Sequence, residues 1–214
     1  MGTGYSISVE LFFILLVFFF PFLGSYSGRY GRHRAYYLWA QNWHYRPKFF
    51  DLKGNIQRSI DRLRVLGSKD SSWCIDQIRQ GAFSYFHMVQ KAWSNNDLVG
   101  LERLVHPKLF PEWRQEIESF KSRGLKNKVD VIKVHALDVV DFVDDPNDES
   151  DRIFLRIHAQ IVDAIVSADG RTQSSEEENF VEYWILARAK GYWRLLEIQS
   201  AEVFESEHPV LLKA

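Results

Sequence analysis

The sequence predicts an α+β fold: N-terminal helices packed on a curved, cone-shaped four-stranded antiparallel sheet, preceded by a single membrane-spanning helix. Three observations predict it. Residues 9–23 are an almost uninterrupted apolar run. From residue 73 to residue 120 apolar side chains recur at three- and four-residue steps, the period of amphipathic helices. After Gly124 the period changes, and four segments rich in β-branched and aromatic residues follow with short connections. Helices first and strands afterwards, with no βα alternation, put the helices on one face of an antiparallel sheet. A chain of 214 residues accommodates one such domain with an N-terminal extension.

Residues 1–28 form the predicted span. Its membrane anchor is Leu11, Phe12, Phe13, Ile14, Leu15, Leu16, Val17, Phe18, Phe19 and Phe20. With its flanks the run approaches the ~20 residues that cross a ~30 Å hydrocarbon core. Glu10 and Pro21 lie near its ends, where headgroups and helix termini tolerate them. The competing reading is a cleaved secretory signal with Ser25, Tyr26 and Ser27 at its cleavage site, but residues 1–9 supply no Lys or Arg. The cations come afterwards, which places the C-terminal domain on the cytoplasmic side of a bacterial inner membrane or the matrix side of a mitochondrial one. Gly2 and Ser6 also fit a loose myristoylation pattern, which so apolar a run makes redundant. Cys74 is the only cysteine, so no disulfide forms within the chain, and its expected place is the first turn of a helix.

Residues 29–70 are a basic, aromatic-rich juxtamembrane linker. Ten Lys and Arg face three Asp there, a net charge of +7, and with Glu10 and a formal total of −1 this leaves residues 71–214 at −7. Arg29, Arg32, Arg34, Arg46 and Lys48 interleave with rings that include Trp39 and Trp43. Rings at headgroup level and cations beside anionic lipid make this a membrane-surface segment. Contact with RNA through stacking and phosphates is the alternative. Farther on, Ile56, Ile60 and Leu63 share one face of a short helix whose Arg58, Arg62 and Arg64 lie off it. That stripe packs either on a lipid surface or on the following domain.

The domain proper is expected over residues 71–206, with a tail at 207–214. Its first helix runs from Trp73 to Trp93, capped by Ser71 or Ser72, with Ile75, Ile78, Ala82, Phe83, Phe86 and Val89 on its apolar face. Asp97 caps a second helix that stops before Pro107, and Pro111 opens a third that ends near Gly124. The strands are expected at 129–143, 153–166, 180–189 and 192–203. Between them lie the acidic loop 144–150, the turn at Gly170 with a polar loop, and Lys190-Gly191.

The run at residues 83–110, with Ala92-Trp93 and Asp97-Leu98 as its sharpest marks, resembles the helical half of the Tim44-like domain. Tyr183 to Arg188, with Trp193 and Ile198-Gln199, resembles its last two strands. The resemblance covers about residues 73–205. It implies a fold like that of nuclear transport factor two, with a cavity used for binding more often than for chemistry. It further implies a non-catalytic, membrane-anchored scaffold or receptor acting in protein translocation or in the biogenesis of membrane proteins and respiratory complexes at an inner membrane. Its partners would be the lipid membrane and a translocase, insertase or ribosome, with no DNA binding expected and a homodimer permitted. The long chaperone-binding arm of the mitochondrial import tether is missing from this sequence, which leaves the membrane role as the supported one.

An enzyme of the isomerase or dehydratase type is the alternative, because the same fold class places an Asp or a His-Asp pair inside its cone. The candidate pocket residues are His135, His158, Asp163, Tyr183 and Trp184, with Asp138 beside them. On an alternating strand Asp163 shares its face with Ile153, Leu155, Ile157, Ala159 and Ile161, whereas His158 lies on the other. A carboxylate on so apolar a face would be raised in pKa by burial, as a general base requires, unless it pairs with Arg156 or Arg188. No metal or cofactor is expected: the seven histidines form no i,i+4 pair, and the acidic loop lacks the glycine and final glutamate of a calcium loop. Glycine-rich phosphate loops and nucleophile elbows are missing too.

Overall fold

A computed structural model describes residues 52–208; the predicted span and residues 29–51 of the linker lie outside it. Among the described residues no helix is long and apolar enough to cross a membrane. In chain order come helix α1 (Leu52–Gly67), a 3-10 turn (Ser71–Trp73), and helices α2 (Ile75–Ser94), α3 (Leu98–Leu104) and α4 (Phe110–Ser122). Strands β1 (Leu125–Val143), β2 (Arg152–Ser167), β3 (Thr172–Ala189) and β4 (Tyr192–Ser200) follow, and helix α5 (Ala201–Glu207) closes the order. The strands form one antiparallel sheet in sequence order, as the short connections predict.

Local chemistry sets most boundaries. Asp97 caps α3 by accepting from the Gly100 N–H at 2.9 Å, and Pro111 sits in the first turn of α4. Gly124, at φ +66°, turns the chain from α4 into β1. Lys190 and Gly191 both have positive φ and close the β3–β4 hairpin with two residues, the turn geometry that matches strand twist.

Several boundaries differ from the expectation. Trp73 belongs to the 3-10 turn, which Asp70 caps through the Ser72 N–H in place of Ser71 or Ser72. Cys74 therefore stands at the N-cap of α2, half-buried, before the first turn where it was expected. Phe83, assigned to the apolar face of α2, is 47 % exposed. Strand β3 starts at Thr172, because the polar residues 172–179 pair with β2 and the ladder does not require apolar side chains. Strand β4 ends at Ser200, whose hydroxyl caps α5 at the Val203 N–H, so the last four residues of the expected strand are helical or cap a helix.

The core lies between the helices and one face of the sheet. Phe86, Val89, Trp93, Leu101, Trp113 and Ile117 meet Val139, Ile153, Leu155, Ile157, Ala159, Ile161, Trp184 and Leu195, all buried. Each large side chain of this set contributes roughly 1.5–3 kcal/mol by leaving water. On the opposite face Tyr183 stacks on Phe204 of α5 with ring centroids 3.9 Å apart, and Val140, Phe154 and Ile56 pack around them.

Helix α1, which the sequence left between lipid and domain, packs on the domain. Leu63 is fully buried in the main core, Ile60 packs against that core, and Ile56 joins the cluster of the opposite face. Polar contacts fix the helix: Ser59 donates to the Val140 carbonyl at 2.7 Å, and Arg62 pairs with Asp141 at 2.9 Å while lying over the Phe142 ring.

Both edge strands are held by helices. Ser94, in the last turn of α2, accepts from the Val129 N–H at 2.8 Å and donates to the Val129 carbonyl at 3.2 Å. On β4, the Leu195 N–H donates to the Tyr85 hydroxyl at 2.7 Å and its carbonyl accepts from the His106 N–H at 2.8 Å. Occupied edge groups no longer offer a template for pairing with other chains. Three register shifts in β1, after Val131, Val134 and Val139, bend the sheet around the helices.

Candidate functional site

The concave face of the sheet is where a cone-shaped cavity was expected, and aromatic side chains fill it. Phe86 and Trp184 lie 5.1 Å apart, Trp93 and Trp113 5.2 Å, and all four are buried.

Asp163 points into this interior, as the alternation predicts, and is 6 % exposed. A polar relay holds it. The Trp93 indole N–H donates to Asn127 Oδ1 at 2.6 Å, and Asn127 Nδ2 donates to the Asp163 carboxylate. Strand pairing explains the meeting: Val129 faces Asp163, so Asn127 is one same-face position away on β1.

His135 and His158 meet each other and not Asp163. Their rings lie 4.6 Å apart on the outer face of the sheet, where His158 also contacts Asn179 Oδ1 at 2.9 Å. The five-residue step from His158 to Asp163 puts the two on opposite faces of β2. Tyr183 likewise faces outward, buried under α5, and burial followed by the neighbouring Glu205 pushes its phenol above the ordinary range. Trp184 faces inward, and its indole N–H donates to Glu182 at 3.0 Å. The five candidate residues are thus divided between two faces, and they do not assemble one constellation. Asp138 is half-buried on β1, across from Arg156.

Three groupings were not foreseen from the sequence. Glu182 is a second buried carboxylate on the concave face, legible only once its strand register is known. Arg188 lies over the rings of both Trp73 and Trp193, at 5.5 and 4.9 Å, where the two indoles meet edge to face; it pairs with buried Asp151 at 2.9 Å and donates to Ser72 Oγ at 2.7 Å. An open groove of about 700 Å³ lies between α1 and the end of β1, lined by Arg62, Val65, Leu66, Lys69, Phe142 and Val143 among others. Among the described residues no three metal-ligating side chains converge. The anchor residues 11–20 and the membrane-surface residues Arg29, Arg32, Arg34, Trp39, Trp43, Arg46 and Lys48 lie outside the described residues.

No curated protein matches the chain. Among solved structures, the intermembrane space region of the chloroplast protein ARC6 is similar at 12% identity and a TM-score of 0.46, covering 57% of this chain and 95% of that one. A sequence model of the Tim44-like domain matches residues 62–200, from the second half of α1 to the end of β4. That match spans well over half of the protein and coincides with the helices and sheet just described: the chain belongs to the Tim44-like domain family.

Proposed function

We propose that this protein is a non-catalytic scaffold or receptor, anchored in an inner membrane by residues 9–23. It serves protein translocation or the biogenesis of membrane proteins and respiratory complexes. The observation that carries this reading is the aromatic interior: Phe86, Trp93, Trp113 and Trp184 are buried in paired contact on the face of the sheet where the sequence placed a pocket. Binding then belongs to the outer surfaces of the domain. Its family membership and the apolar run followed by cations support the membrane side of the proposal. The partners are the lipid surface and a translocase, insertase or ribosome, and the domain faces the cytoplasm or the matrix.

Removal of residues 1–45 tests the anchoring, because it leaves α1 and the whole folded domain in place. The shortened protein should move to the soluble fraction in high salt while the full chain stays with the membranes. Retention of the shortened protein would overturn this mode of attachment.

A further inference from the structure

We infer that His135 and His158 form a two-histidine binding site for a first-row transition ion, such as Zn²⁺, on the outer face of the sheet. The two are 23 residues apart in sequence, and no spacing motif links them. The β-ladder does. His135 sits at the register shift of β1 between Val134 and Ala136, and Ala136 is the Cα partner of His158 on β2. The extra residue re-aims the His135 side chain, the use to which bulges are commonly put. The rings are brought to a centroid distance of 4.6 Å with 31° between their planes.

The tautomer of His158 is fixed by its neighbour. Asn179 Oδ1 is an acceptor only, so at 2.9 Å it takes the Nε2–H of neutral His158 and leaves Nδ1 as the nitrogen with a free lone pair. A ligating histidine that donates its other N–H to a carbonyl oxygen is the usual support of a metal site. His135, exposed on the same outer face, supplies the second imidazole. A zinc ion sits about 2.0–2.1 Å from each imidazole nitrogen, so two ligating nitrogens need to lie within ~4 Å of one another. On this proposal, rotation of the two side chains brings the nitrogens to that separation.

The donor set defines the kind of site. Glu177, on the same face, accepts from Gln160 Nε2 at 2.5 Å and is engaged there. With two imidazoles and no third ligand converging among the described residues, water completes the coordination. Structural zinc has four protein ligands; this site is open and exchangeable. It holds the β1–β2 pair at the middle of the sheet's outer face, remote from the packed interior.

The test is titration of Zn²⁺ into the chelator-treated full chain in non-ionic detergent at pH 7.5, followed by calorimetry. The wild type should bind zinc saturably, His135→Gln and His158→Gln should each lose that site, and Asn179→Ala should weaken it about tenfold or more. Histidine-selective NMR of the wild type should show zinc shifting the His135 and His158 imidazoles together, a readout that depends on no variant. Binding should weaken as pH falls, because protons compete with the metal for imidazole nitrogens. Absence of saturable binding, a zinc isotherm unchanged by His135→Gln, or imidazole resonances of the pair that do not respond to zinc would each overturn the inference.

Discussion

Tyr85 shows how a single hydroxyl ties three elements together. It donates to the Leu104 carbonyl at the end of α3 and accepts from the Leu195 N–H on β4, while burial pushes its phenol above the ordinary range. Tyr85→Phe leaves a buried donor and a buried acceptor without their partner, and should cost about 1–3 kcal/mol in urea unfolding. Asp163→Ala should cost a similar amount of about 1–3 kcal/mol, because Asn127 loses its acceptor, with partial recovery in Asp163→Asn. Acid stability has a local origin as well. Arg171 and Ser167 hold the Asp169 carboxyl down to about 2, and the Ser72 N–H holds Asp70 below its ordinary value. A depressed carboxyl stabilises the fold above its unfolded pKa, and the contribution disappears as pH falls through the folded one. Asp169→Asn should therefore flatten the acid-unfolding profile between about pH 4 and pH 2, as followed by circular dichroism. Of these groups, the sequence disclosed the face of Asp163 through strict alternation from Ile153 to Ile161. It did not disclose Asn127, because that meeting depends on the β1–β2 register.

Helix α1 is decided at the scale of the element. Its stripe of Ile56, Ile60 and Leu63 was legible, yet an apolar stripe looks the same whether it meets lipid or protein. The contacts of Ser59 with β1 and of Arg62 with Asp141 give it to the domain. Leu63→Ala should then destabilise the domain by about 2–5 kcal/mol, whereas Arg64→Ala, on the exposed face, should stay within about 0.5 kcal/mol. Equal small effects in thermal unfolding would return the stripe to the membrane. The other boundaries that escaped the sequence have related causes. Residues 172–179 are polar but paired, so no period marks them as strand. Ser200 reads as a strand residue until its hydroxyl is seen capping α5. Turns were more legible, since Gly124 and Lys190-Gly191 require positive φ where Gly is the ready supplier.

For the whole molecule, the proposed binding domain with an N-terminal membrane anchor is consistent with the charge division read from the sequence and with the aromatic interior. The order of helices and strands was readable from the change of period alone, but whether the cone is open or filled was not. That depends on Phe86, Trp93, Trp113 and Trp184 converging from three elements far apart in sequence. The most direct test of the central claim is crosslinking followed by affinity capture of the full chain from detergent-solubilised native membranes, with the form lacking residues 1–45 as the control. The full chain should bring down subunits of a translocase, an insertase or a ribosome, and the shortened form should lose them or hold them weakly. Capture of none of these by the membrane-held full chain would contradict the scaffold account.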